Sequence, residues 1–239
     1  MKIYLSALIT LAICGMILAG SCKHLTDPNW SNIPTDTAGV NTPCDPNTVY
    51  FNRDIQPLLT SYCSVPKSAT NAKGCHDGIT KKEGVNLSNY TDIINTGEVR
   101  AFKPSSGKMM ESILKGEMPE INWPQLSAAQ IALLQKWITQ GAKNNYCAEC
   151  DTAGYRFATG IVPLIDISCK ACHSGTNPSG GILLTSYTEI IKIDTAVLRR
   201  AINWGNTTAP QKNMPPSKIL MNCQIDNINK WINDGRKNN

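Results

Sequence analysis

Histidine is scarce in this chain: only His24, His76 and His173 occur in 239 residues. Charge is also sparse, at 17% of residues, and no run of Lys or Arg offers a nucleic-acid footprint. The formal net charge of +5 falls to near +4 if Lys2 leaves with the N-terminal segment, which is too modest to name a partner. No apolar stretch is long enough to span a bilayer, because the best one, Ile3 to Leu18, falls short of the ~20 residues required. Alternating strand patterns are few. Disorder is excluded in turn, since 41% of residues are hydrophobic. What the chain has in quantity is cysteine, ten in all. In a cytosolic protein that number suggests metal or redox chemistry, and in an exported one it suggests covalent fixtures.

The N-terminus points to export. Lys2, the apolar run and the small residues Ala19-Gly20-Ser21 before Cys22 read as a secretion signal over residues 1–21. Leu18 to Cys22 resembles a bacterial lipoprotein processing site, although Ala19 stands where Leu is usual. Cys22 is therefore the expected lipidation site, with ordinary cleavage after Ser21 as the rival. Residues 22–43, rich in Asn, Thr, Asp and Pro, read as a flexible tether.

The rest of the chain repeats itself. At an offset of 106, Cys44-Asp45, Phe51, Ile55, Pro57-Leu58 and Cys63 align with Cys150-Asp151, Phe157, Ile161, Pro163-Leu164 and Cys169. At 97, Cys75-His76 and Tyr90 align with Cys172-His173 and Tyr187; at 96, Met118-Pro119 aligns with Met214-Pro215. At 94, Trp137-Ile138, Gly141 and Lys143-Asn144-Asn145 align with Trp231-Ile232, Gly235 and Lys237-Asn238-Asn239. The expected units are 44–147 and 148–239.

Each unit opens and closes with a helical pattern. The first helix is expected over about Ile55 to Tyr62, with Pro57 in its first turn. The last starts at Ser127, with Gln130 three residues on as a capping box, and Gly141 stops it. In the second unit Asn222 is the expected cap and Gly235 the stop. Ile131, Leu134, Trp137 and Ile138 share one face, as do Ile225, Ile228, Trp231 and Ile232. The polar stretches between read as loops, so the fold expected is all-α and loop-rich. Two short helices bury little, and a large apolar filler is needed.

Cys169-Lys170-Ala171-Cys172-His173 is a C-x-x-C-H sequence, the signature of covalent haem attachment. Two thiols one helical turn apart add across the haem vinyl groups, and the adjacent imidazole faces the iron. Met214 and Met118, each followed by Pro at matching repeat positions, are the expected soft sixth ligands. Neither unit has a spare His for a second imidazole. In the first unit eleven residues, Ser64 to Gly74, separate Cys63 from Cys75-His76. Either that stretch bulges out and both cysteines attach haem, or Cys75 holds it alone, or Cys63 and Cys75 form a disulfide in an unused site. Cys147-x2-Cys150-x18-Cys169-x2-Cys172 also fits a four-Cys zinc spacing, weakened by the oxidising compartment and by His173. Cys44, Cys147, Cys150 and Cys223 bracket the units. Of their three possible pairings, Cys44–Cys147 with Cys150–Cys223 would tie each unit's start to its end.

Val49-Tyr50-Phe51-x-x-Asp54-Ile55-x-Pro57-Leu58-Leu59, then Cys, Cys-His, Leu87-x-x-Tyr90, Met-Pro and Trp-Ile-x-x-Gly resemble the class I cytochrome c domain, in particular the planctomycete type found in tandem in bacterial lipoproteins. The resemblance covers about Cys44 to Asn239. It implies two small helical domains, each around one haem c, with His76 and His173 as proximal and Met118 and Met214 as distal ligands.

The activity expected is one-electron transfer with redox proteins of the cell envelope. The chain would be lipid-anchored on the periplasmic side of a bacterial membrane, with no nucleic-acid partner and no small-molecule substrate. It reads more as an electron carrier than as a catalyst. The rivals are a small peroxidase-like di-haem oxidoreductase, which needs an open iron site with acid/base groups, and a docking module of a larger exported enzyme.

Overall fold

The computed structural model describes residues 44–64, 75–147, 154–205, 212–216 and 220–239. The signal and tether expected over 1–43, including Cys22, lie outside them. No strand occurs among the described residues, and about half of them are helical. No described helix is long and apolar enough to cross a membrane.

The first helix, α1 (residues 51–64), is longer than its apolar pattern suggests. It opens with a π-type turn at Phe51–Ile55, continues as α-helix over Gln56–Leu59 and closes with a π-type turn at Thr60–Ser64. Pro57 lies at the start of the α-helical part. The wide turn falls where an α-helical proline would crowd the carbonyl four residues back. Next come α2 (Tyr90–Thr96), α3 (Lys108–Leu114) and α4 (Ala128–Thr139). In the second half α5 (residues 157–168) again joins a π-type turn, Phe157–Ile161, to α-helix, Val162–Ser168. It is followed by α6 (Tyr187–Ile190), α7 (Thr195–Ile202) and α8 (Asn222–Asn233).

The helices α2, α3, α6 and α7 replace what the polar composition suggested were loops. The residues that suggested loops are their caps. Asn89 accepts from the Asp92 amide, Ser186 from Glu189, and Asp194 from Ala196 and Val197. At the start of α3, Gly107 has φ +94, and a Cβ there would lie 2.0 Å from the Glu98 carbonyl oxygen. The capping box of α4 is as expected, Ser127 with Gln130. In α8 the cap is Met221 rather than Asn222, and the Met221 amide donates to the Gln224 side chain. Met221 is the repeat position of Ser127, so the repeat, not the residue preference, sets the boundary.

These helices give each half more core than two helices could. Ile55, Leu58, Leu59, Ile93, Met110, Leu134, Trp137 and Ile138 are fully buried in the first half. Phe157, Ile161, Ile190, Ile228 and Trp231 form the corresponding cluster in the second. At the centre of each lies an aromatic trio. Phe51 meets Tyr90 edge-on at 5.1 Å and Trp137 at 5.8 Å; Phe157 meets Tyr187 at 5.0 Å and Trp231 at 5.5 Å.

The recurring Lys-Asn-Asn close each half on its own beginning. The Phe51 amide donates to Asn145 Oδ1 and the Phe157 amide to Asn239 Oδ1, both at 2.9 Å. Trp137 Nε1 donates to the Lys143 carbonyl and Trp231 Nε1 to that of Lys237. Tyr90 and Tyr187 hydroxyls donate to the Ala142 and Arg236 carbonyls. The sequence repeat is therefore a repeat of long-range hydrogen bonds.

The first half is also closed covalently. Cys44 is disulfide-bonded to Cys147, with Cα atoms 5.8 Å apart, as expected. Cys223 is disulfide-bonded too; Cys150, its expected partner, lies outside the described residues. The Cys44–Cys147 bond closes a separation of 103 residues. Cys44→Ser with Cys147→Ser is expected to lower unfolding stability by about 2–5 kcal/mol, as read by urea denaturation under non-reducing conditions. A loss below about 1 kcal/mol would show that the other ties suffice.

Candidate functional site

The expected haem-binding residues of the first half meet on one cavity of about 850 Å3, part of it open to solvent. Its wall includes Cys63, Cys75, His76 and Met118. Val85, Leu87, Met109 and Ile113 supply apolar lining. In composition it is a mostly apolar pocket with a few soft and nitrogen donors.

The local backbone explains how Cys63 reaches this place. The His76 amide donates to the Cys63 carbonyl at 3.1 Å, and the His173 amide donates to the Cys169 carbonyl at the same 3.1 Å. The second bond belongs to an ordinary C-x-x-C-H turn. The first spans nine extra residues and makes the same connection. Other bonds match as well. The Lys82 and Ser179 amides donate to the Cys75 and Cys172 carbonyls, both at 2.8 Å. The Leu87 and Leu184 amides donate to the His76 and His173 carbonyls, at 2.8 and 2.9 Å. Ser64 adds a hydroxyl bond to the His76 carbonyl at 3.0 Å. Residues 65–74 lie outside the described residues.

None of the four motif cysteines, Cys63, Cys75, Cys169 and Cys172, is disulfide-bonded. The alternative Cys63–Cys75 disulfide is thus not formed in this structure. The zinc spacing is left without its first member, because Cys147 is tied to Cys44. Burial pushes Cys63 and Cys169 up to about 12, so both remain protonated at neutral pH.

The two histidines are held alike. His76 Nδ1 lies 3.3 Å from the Val85 carbonyl and His173 Nδ1 3.2 Å from that of Ile182. A carbonyl can only accept, so these bonds require Nδ1 to carry the proton, which leaves the Nε2 lone pair for a metal. Burial lowers both imidazoles from their ordinary value, keeping them neutral at pH 7. The sequence reading missed Val85 and Ile182 because they act through backbone atoms. Their shared offset of 97 from each other is the signal that could have found them.

Met118 and Met214 occupy matching places. Both precede a cis proline, and their amides donate to Ser112 on α3 and Ala201 on α7. Met118 lines the cavity with His76. Met214 sits in a short described stretch, 212–216, between segments outside the described residues, and no described contact joins it to His173. Sequence reasoning also missed the ion pair of Lys82 and Glu120, both of which line this cavity.

The chain matches no family model, no curated protein and no solved structure.

Proposed function

We propose that each half is a class I c-type cytochrome domain and that the chain is a two-haem electron carrier of a bacterial cell envelope, anchored through lipidated Cys22. One observation carries the reading. The backbone bond that sets Cys169 beside Cys172-His173 is repeated across an eleven-residue interruption between Cys63 and Cys75-His76, on a cavity that Met118 also lines.

In this reading Cys63 with Cys75, and Cys169 with Cys172, would hold the haem through thioethers, and His76 and His173 would offer Nε2, and Met118 and Met214 sulfur, to its iron. Among the described residues no three or more His, Cys, Asp or Glu converge as a metal cage. The haem reading does not require one, since it takes one imidazole and one thioether per iron. When bound, the haem supplies a one-electron Fe(II)/Fe(III) couple.

The chain's own groups tune that couple. The Val85 and Ile182 carbonyls orient the imidazoles and make them stronger donors. Val85, Leu87, Met109 and Ile113 exclude water, and a methionine sulfur favours Fe(II) and raises the potential. Were His76 with Met118, and His173 with Met214, to hold the iron, no place would remain for substrate, which would separate a carrier from a peroxidase.

Met118→His tests the assignment. Imidazole replaces thioether, and one of the two midpoint potentials is expected to fall by a sizeable part of the ~0.8 V over which axial ligands range. Spectroelectrochemical titration reads it. If both potentials stay where they were, Met118 is not a ligand.

A further inference from the structure

The two halves touch at the residues that precede their first motif cysteines. The Ser61 hydroxyl donates to the Ser168 carbonyl and the Tyr62 hydroxyl to the Asp166 carbonyl, both at 3.3 Å. Gln130 Nε2 locks the contact by donating to the Tyr62 hydroxyl at 2.9 Å and to the Asp166 carbonyl at 2.8 Å. Gln130 is itself fixed, because its Oε1 accepts from Ser127 in the α4 capping box. Thr60, Gln130 and Ser168 are buried and Ser61, Tyr62 and Asp166 half-buried.

Tyr62 is bonded to Cys63 in sequence and lines the first cavity. Ser168 is bonded to Cys169. A route from Cys63 to Cys169 thus runs through Tyr62 and Ser61, across one hydrogen bond, to Ser168. The repeat breaks at this place. Tyr62 aligns with Ser168, and Thr60 with Asp166, at the offset of 106. The partners across the seam are not equivalent positions: Tyr62 meets Asp166, the counterpart of Thr60, and Ser61 meets Ser168, the counterpart of Tyr62.

We infer that this seam is an electron junction, which holds the two cysteine-bearing helix ends together and carries single electrons between the halves. The inference rests on the two-haem reading. In each event a ferrous centre in one half is oxidised to ferric and a ferric centre in the other is reduced to ferrous. No bond is made or broken and no proton is transferred. Tyr62 is a positioning residue, acting through the contact it makes and not on the iron.

The test uses full-length, haem-loaded protein. Ser61→Ala with Tyr62→Phe removes the two hydroxyl donors across the seam and keeps the ring, and adding Gln130→Ala removes the remaining donor to the Asp166 carbonyl. The comparison is Asn52→Ala, which removes a different bond between the halves, from Asn52 Nδ2 to Met221 sulfur at 3.3 Å. Three quantities are measured: haem per chain, amide hydrogen exchange over 60–64 and 166–170, and the rate of intramolecular electron exchange after flash reduction. The seam variant is expected to keep two haems, raise hydrogen exchange at both segments and slow electron exchange severalfold. Asn52→Ala is expected to leave that rate unchanged. An unchanged rate in the seam variant, or equal slowing in Asn52→Ala, overturns the junction while the haem reading stands. Fewer than two haems in the unaltered chain overturns both.

Discussion

Matured in a host that attaches haem to cysteine, the chain is expected to carry two covalent haems, and to keep both when residues 65–73 are deleted. That deletion turns Cys63-x11-Cys75-His76 into Cys63-Ser64-Gly74-Cys75-His76, the spacing of the second half. The physical ground is that the His76 amide already reaches the Cys63 carbonyl at 3.1 Å, as His173 reaches Cys169. An insertion between two points held in contact costs little. By the (3/2)RT ln n rule, lengthening the gap from two residues to eleven adds roughly 1.5 kcal/mol. The bonds at its base, from Ser64, Lys82 and Leu87, hold the turn in place. Cys63→Ala with Cys75→Ala is expected to lower the count from two haems to one, and Cys169→Ala with Cys172→Ala to do the same. A pyridine haemochrome assay on purified protein reads each count. A single haem in the unaltered chain would mean that the first-half site is unused, and a colourless folded chain would end the cytochrome reading altogether.

The second large effect is on stability. Trp137→Ala is expected to cost about 3–5 kcal/mol, as is Trp231→Ala. Trp137 is 0% exposed and Trp231 1%. Each stacks near a Phe ring and donates to the carbonyl of the segment that closes its half. Alanine removes the ring, leaves a cavity and strands a carbonyl. For a whole domain worth about 5–15 kcal/mol, that is a large share. Trp→Phe keeps most of the packing and loses the hydrogen bond, so a smaller loss of about 1 kcal/mol is expected. Calorimetry of the haem-loaded protein checks both, at roughly 2–4 °C of melting temperature per kcal/mol for a chain of this size. A melting temperature unmoved by Trp137→Ala would show that the filler, not the aromatic trio, carries the first half.

The sequence by itself determined the repeat, the C-x-x-C-H turn of the second half, the capping box at Ser127 and the apolar faces of α4 and α8, because each is written in neighbouring residues within a few turns of helix. It also proposed the Cys44–Cys147 pairing, which the fold contains. Tertiary structure decided the rest. The helices α2, α3, α6 and α7 sit in polar stretches and persist because Ile93, Met110, Ile190 and Ile202 are buried against the other helices. Propensity alone does not reward such short segments. Only the folded chain brings Cys63 to His76 across twelve residues, and only it sets Tyr62 against Asp166. Both depend on hydrogen bonds between residues far enough apart in the chain that no local pattern encodes them, and their backbone partners leave no mark on side-chain identity.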